Sequence, residues 1–167
     1  MRNRQDWRRG IVTRAEPIAA DVRLLEFAVD GVLPRFDPGS HSNFKVSLGA
    51  GQANRTYSCL PAPAGHIRVA VKHHAHSRGG SRFMCGLEVG TAVDLSVPEN
   101  RFELAWRAPY YLLMAGGIGI TPIYGMAQAL QRRGMPFRLV YGGRSRSVMA
   151  FADALEAELG ERVVVHA

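Results

Sequence analysis

Cysteine is scarce in this chain. Cys59 and Cys85 are the only two, far apart and in no metal-type spacing, so neither a disulfide framework nor a cysteine-held iron–sulfur centre organises the fold. Long apolar runs are also missing: none approaches the roughly 20 residues a membrane helix needs. The first ten residues, Met-Arg-Asn-Arg-Gln-Asp-Trp-Arg-Arg-Gly, are charged and lack an apolar core, so a secretory signal is not expected. Acidic residues are in short supply, with 14 Asp and Glu against 21 Lys and Arg and a net charge of +7. The basic residues are nearly all arginine, which favours phosphate-bearing ligands or an acidic partner. Aromatics make up only 8% and are not interleaved with the scattered arginines. With no zinc-finger or RNP-like motif, nucleic acid is not the expected partner. What is present is an apolar content of 47% in 167 residues, enough for one globular domain or two small ones. The expectation is a cytoplasmic enzyme or binding domain without a membrane partner.

Strand signals dominate the first two thirds. Arg8–Ala15 and Val22–Val29 read as strands, the second only partly amphipathic. Pro34, Pro38 and Gly39 break the chain before Ser42–Leu48, where Phe44, Val46 and Leu48 share one face. A turn over Gly49–Ala53, strand Arg55–Cys59, strand His66–Lys72, a glycine loop at Ser77–Ser81, a short helix over Arg82–Leu87 and strand Ala92–Val97 follow. Six short strands at close spacing with one helix predict a closed antiparallel barrel over residues 1–108. After Pro109 the rhythm changes. Strand Tyr110–Ala115, helix Thr121–Arg133 stopped by Gly134, strand Phe137–Tyr141, helix Val148–Leu159 and strand Arg162–His166 predict βαβαβ over residues 109–167. This is half of an open doubly wound sheet. The expected fold class is therefore β followed by α/β, and a topology that stops midway suggests a truncated chain or a shortened relative.

The stretch Tyr110–Pro122 organises the rest. Its apolar run Tyr110–Met114 suits a buried parallel strand, Gly116, Gly117 and Gly119 allow a sharp turn, and Thr121 and Pro122 suit a helix start, Thr121 as the cap. A strand, a glycine turn and a helix start together predict a nucleotide crevice. The run is not the G-x-G-x-x-G fingerprint, and no acidic residue follows at the matching distance. Arg55-Thr56-Tyr57-Ser58 offers a guanidinium fork for a phosphate and polar groups for a planar ring, although the same residues suit an ordinary edge strand. Arg78-Gly79-Gly80-Ser81 presents successive amides backed by arginine, which suits an anion nest or a plain turn. Arg144, Ser145 and Arg146, after strand Phe137–Tyr141, stand where such sheets bind ligands and suit a ribose or phosphate, or a plain solvated loop. His73, His74 and His76 lack matching carboxylates and read as solvent-exposed, so no metal is expected.

Arg55-Thr56-Tyr57-Ser58, Ala70-Val71-Lys72, Arg78-Gly79-Gly80-Ser81 and Gly116–Pro122, in this order and at these separations, resemble the phthalate dioxygenase reductase and vanillate demethylase reductase family of the ferredoxin–NADP reductase superfamily. Pro38-Gly39-Ser40-His41, Pro98–Phe102 and Tyr141–Phe151 extend the resemblance over nearly the whole chain. The resemblance implies an FMN-binding barrel beside a domain for NADH or NADPH. Electrons would pass from the pyridine nucleotide through FMN to an iron–sulfur protein or oxygenase component. It implies that Arg55, Arg78, Gly79, Gly80 and Ser81 hold the FMN phosphate. Thr56, Tyr57, Ser58, Ala70, Val71 and Lys72 would lie along the flavin, and Gly117, Gly119, Arg144 and Ser145 would serve the nucleotide. Thr121 and Ser58 would stand at the reacting centre. The glycine-pair loop favours FMN over FAD. The family's late Cys-Gly-Pro segment and its cysteine-rich ferredoxin domain have no counterpart here, and Cys59-Leu60-Pro61 replaces the usual Leu-Cys-Asn. Slow reduction by NADH is therefore expected, with a non-catalytic flavin module or an incomplete reductase fragment as the alternative.

Overall fold

The computed structural model describes residues 5–49 and 51–167; the first four positions of the charged N-terminal segment and Ala50 of the expected turn lie outside them. Strands β1 (Trp7–Ala19), β2 (Val22–Val29), β3 (Ser40–Leu48), β4 (Gly51–Ser58), β5 (His66–Lys72) and β6 (Ala92–Ser96) form an antiparallel sheet in the order β4-β3-β6-β1-β2-β5, with the two-residue β7 (Glu99–Asn100) on β3. The expected strand order along the chain holds, with local shifts. β1 runs past Ala15 because its second half keeps pairing with β2, and Pro17 is accommodated beside a register shift. Gly51–Ala53, expected in a turn, already belongs to β4, since Leu48 pairs with Gly51 and Ser47 with Gln52.

Inside the barrel the alternation expected for β3 and β5 is realised. The rings of Phe27 and Phe44 meet at 5.2 Å, tilted by 49°, with Leu25, Val46, Ile67, Val69, Val71 and Leu95 around them. Gly10 is required here, because a Cβ would stand 2.6 Å from a Leu95 methyl. The partial amphipathicity of β2 has a physical cause: both of its faces are buried. Leu25, Phe27 and Val29 point into the barrel, whereas Val22 and Leu24 pack outward with Leu60, Ala70 and Ala150. This outer cluster, joined by Tyr124, Phe151 and Ile118, is the seam between barrel and α/β layer. An amide from Ala20 to the Ser147 carbonyl at 2.8 Å ties the same seam. Helix α1 (Gly80–Cys85) begins two residues earlier than expected, so Gly80 and Ser81 form its first turn, and Met84 plugs the barrel.

The second sheet is parallel in the order β10-β9-β8, from β8 (Tyr111–Gly116), β9 (Phe137–Gly142) and β10 (Val163–His166). Helices α2 (Ile120–Arg132) and α3 (Ala152–Leu159) cover one face of it through Ile123, Met126, Leu130, Leu155 and Leu159. Gly134 ends α2 as expected. At φ +64° it donates its amide to Gln131, and Met135 donates to Leu130, the paired bonds of a Schellman cap. Three expectations are corrected. Tyr110–Met114 is not buried throughout: Tyr111 and Leu113 are, but Tyr110, Leu112 and Met114 are 55%, 60% and 68% exposed, because the helices lie on one face only. Helix α3 starts at Ala152 rather than Val148, since Arg146–Val148 forms a 3₁₀ turn and Phe151 adopts a left-handed φ of 64° that interrupts any helix through it. Thr121 is not the cap of α2; Gly119 precedes the helix, and the Thr121 hydroxyl instead donates to the Ile118 carbonyl at 3.1 Å.

Candidate functional site

The barrel is not laced shut along its whole length. Strands β4 and β5 end the sheet order, and among the described residues the ladder between them is a single bridge from Leu60, two residues past β4, to Arg68 of β5. Beyond that bridge they diverge, and a cavity of about 770 Å³ opens between them, closed on its far side by the glycine turn before α2. That volume matches a cofactor-sized site. β4 contributes Arg55, Thr56, Tyr57 and Ser58, β5 contributes Ala70 and Lys72, the loop into α1 contributes Arg78, and the first turn of α1 contributes Ser81. Ile118, Gly119, Thr121 and Pro122 come from the turn and first residues of α2.

Each of these side chains is held by its own local chemistry. The stem of Arg55 lies over Gly80, where any Cβ would come within 2.5 Å of its Nε, and its guanidinium donates to the Asn54 carbonyl at 2.8 Å. Gly80 is thus the residue that lets arginine and loop approach. Thr56 donates to the Asn43 side-chain oxygen at 2.5 Å. The Tyr57 ring meets Phe44 edge-on at 5.7 Å, and burial, with the nearby Cys85 adding to it, pushes its hydroxyl up to about 12 despite Arg55. It is therefore a neutral donor at any physiological pH. Lys72 pairs with Asp21 at 2.9 Å. Gly79 takes φ +101° before α1, with its amide on the Ser77 hydroxyl at 3.1 Å, and the Ser81 hydroxyl accepts the His74 amide at 3.3 Å. The lining carries Arg55, Lys72 and Arg78 and no carboxylate. Hydroxyls, the imidazoles of His74 and His76 and small apolar groups complete it, so the cavity suits a flat, polar-edged ligand that ends in an anion.

Other expected site residues lie elsewhere. Val71 points into the barrel core and is fully buried. Gly79 and Gly80 support Arg55 and Leu48 rather than lining the cavity, and Gly117, at φ +50°, stands behind it in the turn. Arg144 and Ser145 sit on the exposed loop after β9, outside the cavity. Beside them Arg146 is bound by Asp153, at 2.7 Å, and by Glu156, so α3 holds that side chain. His74, Ala75, His76 and Ser77 do line the cavity, which sequence reasoning missed; their position directly before the arginine–glycine loop was the available signal. Burial pushes the Cys59 thiol up to about 12, and burial also raises Cys85 against the pull of Arg23, so neither is an activated nucleophile.

A family model described as an oxidoreductase NAD-binding domain matches residues 113–163, the parallel sheet with its helices. The phenoxybenzoate dioxygenase subunit beta of Ectopseudomonas oleovorans is 39% identical over 151 residues, which are 87% of this chain and 46% of the relative. The phthalate 4,5-dioxygenase oxygenase reductase subunit of Pseudomonas putida is 39% identical over 140 residues, 81% of this chain and 42% of its own length. A solved phthalate dioxygenase reductase, described as a modular structure for electron transfer from pyridine nucleotides to a 2Fe–2S centre, matches with a TM-score of 0.87 at 34% identity, over 96% of this chain and 51% of that one. Over most of its length the chain is similar to the phthalate dioxygenase reductase family. It spans about half the length of the curated relatives it matches. At 96% of this chain, the likeness to the phthalate dioxygenase reductase takes in both the barrel and the parallel sheet. The cavity lies where those layers meet.

Proposed function

We propose that the cavity binds FMN and that the chain is the flavin and pyridine-nucleotide part of a reductase. Electrons would pass from NADH or NADPH through FMN to an iron–sulfur acceptor serving a ring-hydroxylating or demethylating oxygenase. The observation that carries this reading is the cavity itself, lined by Arg55 of β4 and Arg78 of the loop, by hydroxyls along β4, and by Thr121 in the first turn of α2. Residues 1–108 act as the FMN-binding part and residues 109–167 as the nucleotide-binding part. The protein works in the cytoplasm on this reading; no helix among the described residues is long and apolar enough to cross a membrane.

Arg55 and Arg78, with the amides of Gly80 and Ser81, the Ser81 hydroxyl and the turn made by Gly79, would hold a phosphate monoester. Thr56, Tyr57 and Ser58 would meet the edge of a planar ring, and Ala70 and Lys72 would border it. Bound FMN would supply the redox chemistry, taking two electrons with a proton from the nicotinamide and releasing them singly. The chain's task is to orient the two rings and exclude water, with Thr121 and Ser58 on either side of the meeting point. Arg144, Ser145, Gly117 and Gly119 would face the pyridine nucleotide. FAD fits less well, since the short glycine-pair loop presents one anion subsite.

The purified chain is expected to be yellow and to retain FMN. Arg55→Ala should weaken FMN binding by roughly ten- to a hundredfold, the loss of charge-assisted hydrogen bonds of ~1.5–3 kcal/mol. A colourless chain that takes up no added FMN overturns the proposal. A non-catalytic flavin module is the second reading, favoured by the place of Arg144 and Ser145 on an exposed loop outside the cavity. Stopped-flow mixing of the flavin-loaded chain with NADH separates the two, because only a reductase bleaches.

A further inference from the structure

Tyr141 closes β9, and its ring is fully buried under the helices. Its hydroxyl stands 3.2 Å from the Gly117 carbonyl and 3.1 Å from the Ala150 carbonyl. A phenol has one proton to donate, so two backbone acceptors share it. Those acceptors belong to different loops. Gly117, at φ +50°, opens the turn whose next residues, Ile118 and Gly119, wall the cavity. Ala150 is 1% exposed and lies in the seam with Leu24, Leu60 and Ala70, and Ala70 itself borders the cavity. Phe151 follows in its left-handed conformation, its ring 4.7 Å from that of Tyr124. A bulky residue held at positive φ marks a backbone fixed by its surroundings.

We infer that Tyr141 is a positioning residue: its buried hydroxyl staples the glycine turn of β8 to the loop after β9, and through Ala150 sets both against the barrel wall of the cofactor cavity. The inference rests on the proposed function for its consequence, the alignment of a pyridine nucleotide with the flavin, but the staple itself is a property of the chain without any cofactor. Burial pushes the Tyr141 hydroxyl up to about 12, so it stays a donor throughout the working pH range. Removing the hydroxyl leaves the two carbonyls without their common donor, and the loops then move independently.

The test is Tyr141→Phe, which keeps the ring and its packing. In the cofactor-free chain, hydrogen exchange of the amides in 116–121 and in 147–151 should accelerate together by about tenfold or more, with β2 and β5 unchanged. In the FMN-loaded chain, FMN affinity should stay within about twofold, since the β4 and loop contacts are remote from the substitution. With the FMN first reduced by dithionite under anaerobic conditions, so that a reduced flavin donor faces an oxidised nicotinamide acceptor, the long-wavelength charge-transfer absorbance on adding NAD⁺ should fall severalfold at saturating nucleotide. Unchanged exchange in either segment overturns the inference, as does a uniform acceleration across the barrel, which would mark Tyr141 as merely stabilising. A parent chain that binds no FMN, or shows no charge-transfer band, sinks the proposed function and leaves the exchange result to judge the staple. If Tyr141→Phe does not fold, Gly117→Ala, strained at positive φ, takes its place. Exchange that then accelerates in 147–151 as well as in 116–121 supports the link, and exchange confined to 116–121 overturns it.

Discussion

Glu26 on β2 and Arg68 on β5 stand directly opposite each other in the strand register, their side chains 12% and 26% exposed. Burial raises the carboxyl, but the Arg68 hydrogen bonds, its charge and the Thr13 hydroxyl outweigh that and hold Glu26 below its ordinary value of 4.5. A depressed carboxyl stabilises the fold above its unfolded value and loses that contribution as pH falls through the folded one. Glu26→Gln should therefore cost roughly 1.5–3 kcal/mol near neutral pH in urea denaturation, with the deficit closing as the pH drops below the ordinary carboxylate value. A deficit that stays constant into acid would show that the charge is not what matters. At this scale the sequence was only partly legible. Arg55 could be picked out from its motif, but the need for Gly80 beneath it follows from a contact across 25 residues of chain, where a Cβ would stand 2.5 Å from Arg55. Arg144 and Arg146 looked alike in sequence, yet only Arg146 is bound by the carboxylates of α3.

Among the elements, β8 departs most from its sequence reading. Five consecutive apolar residues predict a strand buried on both faces, as parallel strands usually are. Here α2 and α3 both cover the face with Tyr111 and Leu113, and Tyr110, Leu112 and Met114 line the other, each more than half exposed. β8 also ends the strand order, and from Tyr110 to Pro122 no charged residue guards it. The isolated chain should therefore self-associate at high concentration. Replacing Leu112 and Met114 together by Lys should reduce that association in sedimentation while changing stability by no more than about 0.5 kcal/mol per site, as for exposed positions generally. Equal association of parent and variant would show that this face is not responsible. Element ends were legible where local chemistry sets them, as at Gly134, whose cap needs only neighbouring residues. The start of α3 was not, because Phe151 takes its left-handed backbone while packed against Tyr124 and the barrel-side cluster.

On the scale of the whole molecule, the seam decides whether barrel and sheet behave as one body. Leu60 is 1% exposed and packs there with Val22, Leu24, Ala70 and Ala150. The two tryptophans report separately, Trp7 from β1 and Trp106 from the link beside α2, where Arg133 lies 3.8 Å over its ring. Single-tryptophan forms of the parent chain should unfold along coincident urea curves. Leu60→Ala should cost about 2–5 kcal/mol as a buried truncation and separate the two curves. Curves that separate already in the parent would mean that the seam does not couple the layers.

The sequence by itself determined the order of strands and helices, the change from barrel to βαβαβ after Pro109, and the motifs that carry the family resemblance. These rest on alternation, glycine turns and local spacing, all of which are written within a few residues. Only the tertiary structure decided that β4 and β5 part beyond the Leu60–Arg68 bridge, that the histidine loop joins the resulting cavity, and that Tyr141 ties two loops to the barrel wall. Those features depend on contacts between residues distant in the chain, and burial on both sides of a seam leaves no periodic trace in either segment alone.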